Sequence, residues 1–230
     1  MFSVIFPGQG SQIVGMASEF YSKFELFKKL YRQADEVLNF PLSKLILEGP
    51  KEKLDLTENT QPAIFLVGYS IFQILKEEYK IDLNKAKFFA GHSLGEYTAL
   101  ACAGALDFES TLKILKFRGN AMQSAVPKGE GGMLAILGSN TETIEKIFSD
   151  NKDKYQCFIA NDNSNGQLVV SGNIGNIDKL SLDLASKSIK HIKLPVSAPF
   201  HCHLMNKATE LMKIEIEKLE FGDFQTPLIS

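Results

Sequence analysis

Apolar residues recur early in the chain at steps of three and four: Phe20, Phe24, Phe27, Tyr31, Ala34 and Leu38. That spacing puts them on one face and predicts a long amphipathic helix. Before it, residues 3–6 read as a short buried strand, broken by Pro7-Gly8-Gln9-Gly10-Ser11-Gln12. Residues 62–79 are apolar almost all round, through Ile64, Phe65, Leu66, Val67, Ile71, Phe72, Ile74 and Leu75. They predict a central helix covered on most sides, with Pro62 in its first turn. Phe88-Phe89-Ala90 is a second short apolar run, and residues 96–103 are helix-forming. Asp107 has the character of an N-cap for another helix, which carries Leu112, Leu115 and Arg118.

The pattern changes at the glycine-rich stretch Val126-Pro127-Lys128-Gly129-Glu130-Gly131-Gly132. After it, residues 133–137, 156–160, 167–171 and 189–196 are strand-like, and residues 141–148 and 177–186 are helical. That is a β-α-β-β-α-β order, the ferredoxin-like one. Pro195 and Pro199 then return the chain to the first part. The expected fold class is α/β. A core with a parallel sheet spans residues 1–126 and 197–230, and a small α+β subdomain is inserted over 127–196.

The junction of the apolar run at 88–90 with the following helix carries Gly91-His92-Ser93-Leu94-Gly95. A G-x-S-x-G between strand and helix is the setting of a nucleophile elbow, which makes the core α/β-hydrolase-like. The Leu94 amide, at the start of a helix, is placed to donate to an oxyanion. Gln9, in the turn that ends the first strand, lies at the edge where α/β sheets hold their ligands.

Composition narrows the setting. Apolar residues make up 44% of the 230 and charged residues 23%, with a net charge of −2. Neither nucleic acid nor an anionic membrane is favoured by that balance. No window approaches the ~20 apolar residues of a membrane helix, and Met1 to Phe6 lacks the basic n-region of a signal peptide. Three widely spaced cysteines, Cys102, Cys157 and Cys202, suit a reducing cytoplasm. His201-Cys202-His203 has no second Cys/His cluster to complete a metal shell.

A serine nucleophile needs a base, and there are four histidines. His92 is inside the elbow, where packing is its expected role. His191 lies among lysines in an alternating strand and reads as a surface residue. His203 reads as structural. His201 follows Ala198-Pro199-Phe200 where the chain re-enters its core, and is the candidate base. No Asp or Glu stands in an obvious position to orient it, so a carbonyl accepting from its second nitrogen is the open alternative. Arg118, on the helix expected behind the elbow, has the guanidinium fork that binds a carboxylate through two parallel hydrogen bonds; a surface helix arginine is the plain alternative.

Together these segments resemble the malonyl-CoA:acyl carrier protein transacylases of fatty acid synthesis. The matching stretches are Phe6 to Gln12, Thr60-Gln61-Pro62-Ala63, Gly91 to Tyr97, Arg118 to Gln123, Asn161 to Gly172 and Pro195 to Cys202. The resemblance implies Ser93 as acyl acceptor, His201 as base and Arg118 as clamp for the malonyl carboxylate. It implies an oxyanion hole from Gln9 and Leu94, with Gln61, Asn163 and Phe200 lining the pocket. Phe200 matches the bulky residue with which similar domains refuse an α-methyl branch. Malonyl-CoA and acyl carrier protein are the implied partners, and no cofactor is implied. Carrier proteins of this kind are acidic, so Lys187, Lys190 and Lys193 are candidates for docking one. The resembling proteins continue beyond the position of Ser230, with a stretch whose glutamine carbonyl orients the histidine, which leaves a C-terminally shortened, poorly active binder of acyl-CoA or carrier protein as one alternative. A serine thioesterase, which passes the acyl group to water, is the other.

Overall fold

The computed structural model describes every residue except Lys128 and Ser197. Those two, one in the expected glycine-rich linker and one at the expected return to the core, lie outside the described residues. In chain order the elements are β1 (Val4–Phe6), α1 (Ser18–Lys23), α2 (Glu25–Leu38), α3 (Leu42–Glu48), α4 (Lys51–Leu54), α5 (Thr57–Glu77), β2 (Phe89–Gly91), α6 (Gly95–Cys102), α7 (Phe108–Ala125) and β3 (Gly131–Leu137). They continue with α8 (Thr141–Asp150), β4 (Cys157–Ser164), β5 (Gln167–Asn173), α9 (Ile174–Ser186), β6 (Lys190–Lys193), α10 (Asn206–Ile216) and β7 (Leu228–Ile229). Two compact units result: Met1–Asn120 with Lys213–Ser230, and Ala121–Met212.

The first unit holds a parallel sheet in the order β1-β2-β7. Val4 pairs with Phe89 and Phe6 with Gly91, while Phe89 also pairs with Leu228. A parallel sheet needs apolar cover. Phe6, Phe72 and Phe89 supply part of it, with ring centroids 5.7 to 6.3 Å apart. The larger core gathers Phe27 and Tyr31 of α2, Phe65 and Leu66 of α5, and Leu112 and Leu115 of α7, all without exposed surface.

The expected early helix is interrupted. Phe24 is extended (φ −115°, ψ 123°) and separates α1 from α2. The apolar stripe survives because the bend lets the Phe20 ring stack on both Phe24 and Phe27, each at 6.0 Å. The central helix starts earlier than its apolar pattern, at Thr57, so Pro62 falls in the second turn. Thr57, Asn59, Thr60 and Gln61 are polar yet buried, and two of their side chains cap the preceding segment. Asn59 Nδ2 donates to the Lys53 carbonyl (2.9 Å) and Thr60 Oγ1 to that of Leu54 (2.6 Å). Asp107 does cap α7, accepting from the Ser110 N–H at 2.8 Å. Burial alone would raise its carboxyl, but the donors of Ser110 and Glu109 hold it below the usual range. Its contribution is therefore present above the unfolded carboxylate pKa and lost as pH falls through the lower folded value. Asp107→Ala is expected to cost ~1 kcal/mol at neutral pH and less at pH 3, read by urea unfolding.

Backbone crowding at the elbow explains its glycines. A Cβ on Gly91 would stand 2.0 Å from the Gly95 carbonyl carbon, and one on Gly95 2.4 Å from the Phe6 carbonyl oxygen. The atoms in the way are backbone and cannot step aside. Gly91→Ala should therefore destabilise the chain by ~3 kcal/mol or more, at the upper end for overpacking. A denaturant midpoint within error of the parent chain's would refute this account of the turn.

The second unit is an antiparallel sheet in the order β4-β5-β3-β6. Ile144 and Ile147 of α8, and Ile177, Leu180 and Leu184 of α9, share one core with Leu134, Ile136, Leu168 and Val170 of the strands. Asn140 caps α8 and Asn173 caps α9, accepting from Thr143 and Gly175 N–H groups. β4 runs past its expected end to Ser164, with register shifts at Ile159/Asn161 and Asp162/Ser164. β6 is shorter than expected. Its ladder closes with Leu194 N–H on the Met133 carbonyl, and Pro195 follows. His191 is half-buried rather than a free surface residue: Ser181 Oγ lies 2.7 Å from Nε2, and the Ile189 carbonyl 2.9 Å from Nδ1. With both ring nitrogens occupied, it has a structural task.

Candidate active site

Ser93 follows β2 at the tip of the turn into α6. It is half-buried and has φ +54°, a left-handed conformation that a non-glycine residue adopts at a cost of order 1 kcal/mol or more. The turn closes through Gly95 N–H on the His92 carbonyl (3.0 Å) and Glu96 N–H on that of Ser93 (3.1 Å). His92 N–H reaches back to the Phe6 carbonyl at 3.0 Å, tying the turn to the end of β1. Gly8 lies against His92 so closely that a Cβ would be 2.6 Å from its carbonyl oxygen and from Nδ1. The 8–9 turn thus sits beside the elbow. Neither the Gln9 nor the Leu94 backbone N–H has an acceptor among the described residues. The Gln9 side chain points elsewhere, donating to Thr57 Oγ1 at 3.3 Å.

Arg118, half-buried on α7, converges on the same place. Its Nη2 donates to Ser93 Oγ at 3.1 Å and its Nη1 to Gln61 Oε1 at 2.8 Å. The Tyr97 ring is 5.7 Å from its Cζ. Desolvation pushes the guanidinium's pKa down, while Tyr97 and the Glu96 charge oppose that; an arginine so placed remains a cation. No carboxylate pairs with it among the described residues. α7 gets this near because residue 119 is glycine: a Cβ there would be 2.4 Å from Glu58 Cα and 2.6 Å from the Thr57 carbonyl oxygen. A cation in no ion pair among the described residues, beside a strained serine and two unused amide donors, can receive an anionic substrate group and stabilise charge developing next to it.

Ser93, Arg118 and Gln61 are brought together directly, with Gln9 and Leu94 in the turns around them. His201, Phe200 and Asn163 belong to the second unit. His201 is exposed at φ +58° and follows Phe200, which is buried. Just ahead of them Pro199 presses on β3, where a Cβ on Gly131 would be 2.2 Å from its Cδ. Cys202 Sγ donates to the Pro199 carbonyl at 3.1 Å, and the His203 ring meets Phe158 edge-on at 4.2 Å, a structural role. Asn163 is exposed on β4, beside a register shift. Of the three lysines, Lys187 and Lys193 pair with Asp183 (3.4 Å) and Asp178 (2.8 Å) of α9. Tyr97 and Thr57 join the site without having been singled out in the sequence. Tyr97 carried a signal, since it stands in the first turn of α6, directly after the elbow; Thr57 carried none.

The model of the acyl transferase domain matches residues 3–229. The chain is 40% identical over 229 residues to the malonyl CoA-acyl carrier protein transacylase of Bacillus subtilis strain 168, covering 98% of this chain and 71% of that protein. The chain belongs to this transacylase family. Among solved structures it is similar to the acyl-carrier-protein S-malonyltransferase of Bartonella henselae, with a TM-score of 0.95, 38% identity, and coverage of 100% of this chain and 74% of that one. It is also similar, at a TM-score of 0.94 and 34% identity, to a malonyl-transacylase solved in complex with its type II PKS acyl-carrier protein, again over 100% of this chain and 74% of that one. No helix among the described residues is long and apolar enough to cross a membrane.

Proposed function

We infer that this chain transfers a malonyl group from malonyl-CoA, through an ester on Ser93, to the phosphopantetheine thiol of acyl carrier protein in fatty acid synthesis. The observation that carries the substrate class is Arg118, a cation in no ion pair among the described residues and one hydrogen bond from Ser93 Oγ. In this reading His201 takes the Ser93 proton as Oγ attacks the thioester carbon. The Gln9 and Leu94 amides stabilise the oxyanion, and the tetrahedral intermediate expels coenzyme A, which leaves with the proton. The carrier thiol then attacks the malonyl-serine; its proton returns to Ser93 through His201. Arg118 holds the malonyl carboxylate throughout, with Gln61 fixing its fork and Asn163 lining the pocket. Phe200 crowds an α-methyl branch, which gives ~10–200-fold preference for malonyl over methylmalonyl. No cofactor takes part, and the setting is cytoplasmic.

We read the first unit as an α/β-hydrolase-like core, and the sheet and helices of residues 127–196, which fall within the second unit, as a ferredoxin-like subdomain. The β4-β5-β3-β6 order and the shared helix face support the second assignment.

Malonyl-CoA consumption with and without carrier protein tests the function. Transfer requires that free malonate form slowly without carrier and that malonyl-carrier accumulate with it. Rapid release of malonate in the absence of carrier would mean a thioesterase instead. Lys187, Lys190 and Lys193 are the proposed docking face for the acidic carrier, and the exposed pairs Lys187 and Lys193 make with α9 hold them only weakly. Reversing all three charges should raise the Michaelis constant for carrier by about tenfold and leave that for malonyl-CoA alone. An unchanged constant for carrier would move docking elsewhere.

A further inference from the structure

We propose that Arg118 masks the nucleophile as well as clamping the substrate, so that a substrate carboxylate is what frees Ser93 to react. The inference rests on the reading of Ser93 as nucleophile and Arg118 as clamp. Arg118 Nη2 donates to Ser93 Oγ at 3.1 Å. Its Nη1 is fixed on Gln61, which is wholly buried, and the Tyr97 ring lies beside the guanidinium. The cation is thus held against Oγ by two independent supports. A lone pair engaged by a cationic donor is a poorer nucleophile, and a charge-assisted bond of this kind amounts to about one to two decades in rate.

Malonyl geometry supplies the release. One methylene separates the carboxylate from the carbonyl carbon, which must approach Oγ to ~3–3.5 Å for attack. The carboxylate therefore arrives on the side of the guanidinium that faces Ser93, and it is a much stronger acceptor than a hydroxyl. It replaces Oγ as the acceptor of the Nη2 hydrogen bond in the step that positions the thioester. An acetyl group brings no such acceptor and meets a serine still held. The carboxylate therefore acts on the rate of attack as well as on binding, a small-scale induced fit.

An uncharged sulfonyl fluoride separates this from simple clamping, since it never uses the clamp. Ser93 Oγ displaces fluoride from sulfur, its proton passes to the base, and the adduct is read by mass. Arg118→Met, similar in volume but without donors, should label at least about tenfold faster than the parent chain. Saturating formate, a carboxylate too small to fill the pocket, should accelerate the parent chain toward the variant's rate and leave the variant unaffected. Equal rates for the two chains, or formate that fails to accelerate the parent, overturns the masking role alone. The formate arm needs no variant, so a poorly folded Arg118→Met does not protect the idea. A folded parent chain that never labels at Ser93 overturns the nucleophile reading and the mask with it.

Discussion

Ser93→Ala is expected to lower malonyl transfer to carrier protein by about four to six decades, the scale seen when a nucleophile acting with its base is removed. The size follows from the route. Without Oγ there is no acyl-enzyme, and the remaining amides of Gln9 and Leu94 can stabilise an oxyanion but cannot carry the group between two thiols. With His201 as the proposed base, His201→Ala should fall in the same range, and the double variant little further, because a nucleophile and its base act as one unit. The fold should hold through Ser93→Ala. The residue is half-buried at φ +54°, and alanine meets the same backbone strain as serine there. A matched pair of unfolding curves and transfer rates checks both halves of the expectation. Transfer within tenfold of the parent chain would remove Ser93 from the mechanism.

Arg118→Ala is the second large effect, and a selective one. With the guanidinium gone, the malonyl carboxylate loses its partner in a partly dry pocket. By analogy with breaking a buried ion pair this costs ~3–5 kcal/mol, or about two to four decades in malonyl transfer. Acetyl transfer should persist or rise, since an uncharged group never used the cation. The ratio of the two rates is the quantity to measure, because a general loss of folding lowers both together. Gln61→Leu should shift the same ratio by less, as it removes the Nη1 partner at 2.8 Å and leaves the charge in place.

Much of this site was legible in the sequence because its constraints are local. The elbow shows as two glycines around a serine, and the structure gives each glycine a backbone atom that a side chain would strike. The α7 cap at Asp107 was readable for the same reason, a side chain bonding three residues ahead. What escaped depends on contacts distant in sequence. The start of α5 has no apolar face to reveal it; Asn59 and Thr60 are buried with hydrogen bonds to α4, and Gly119 comes close to Thr57 and Glu58. Thr57 joins the Gln9 turn across 48 positions, with nothing in its neighbours to announce it. The break at Phe24 was hidden because rings on either side of a bend keep the same spacing as rings on an unbroken helix. His191 looked like a surface residue because its strand neighbours are lysines; the Ser181 hydroxyl that holds it comes from α9.

The most direct test of the central claim is the intact mass of the 230-residue chain after mixing with malonyl-CoA. Transfer through Ser93 predicts a malonyl adduct that maps to Ser93 and disappears when carrier protein is added. A folded chain that takes up no malonyl group, or takes it up at another residue, contradicts it.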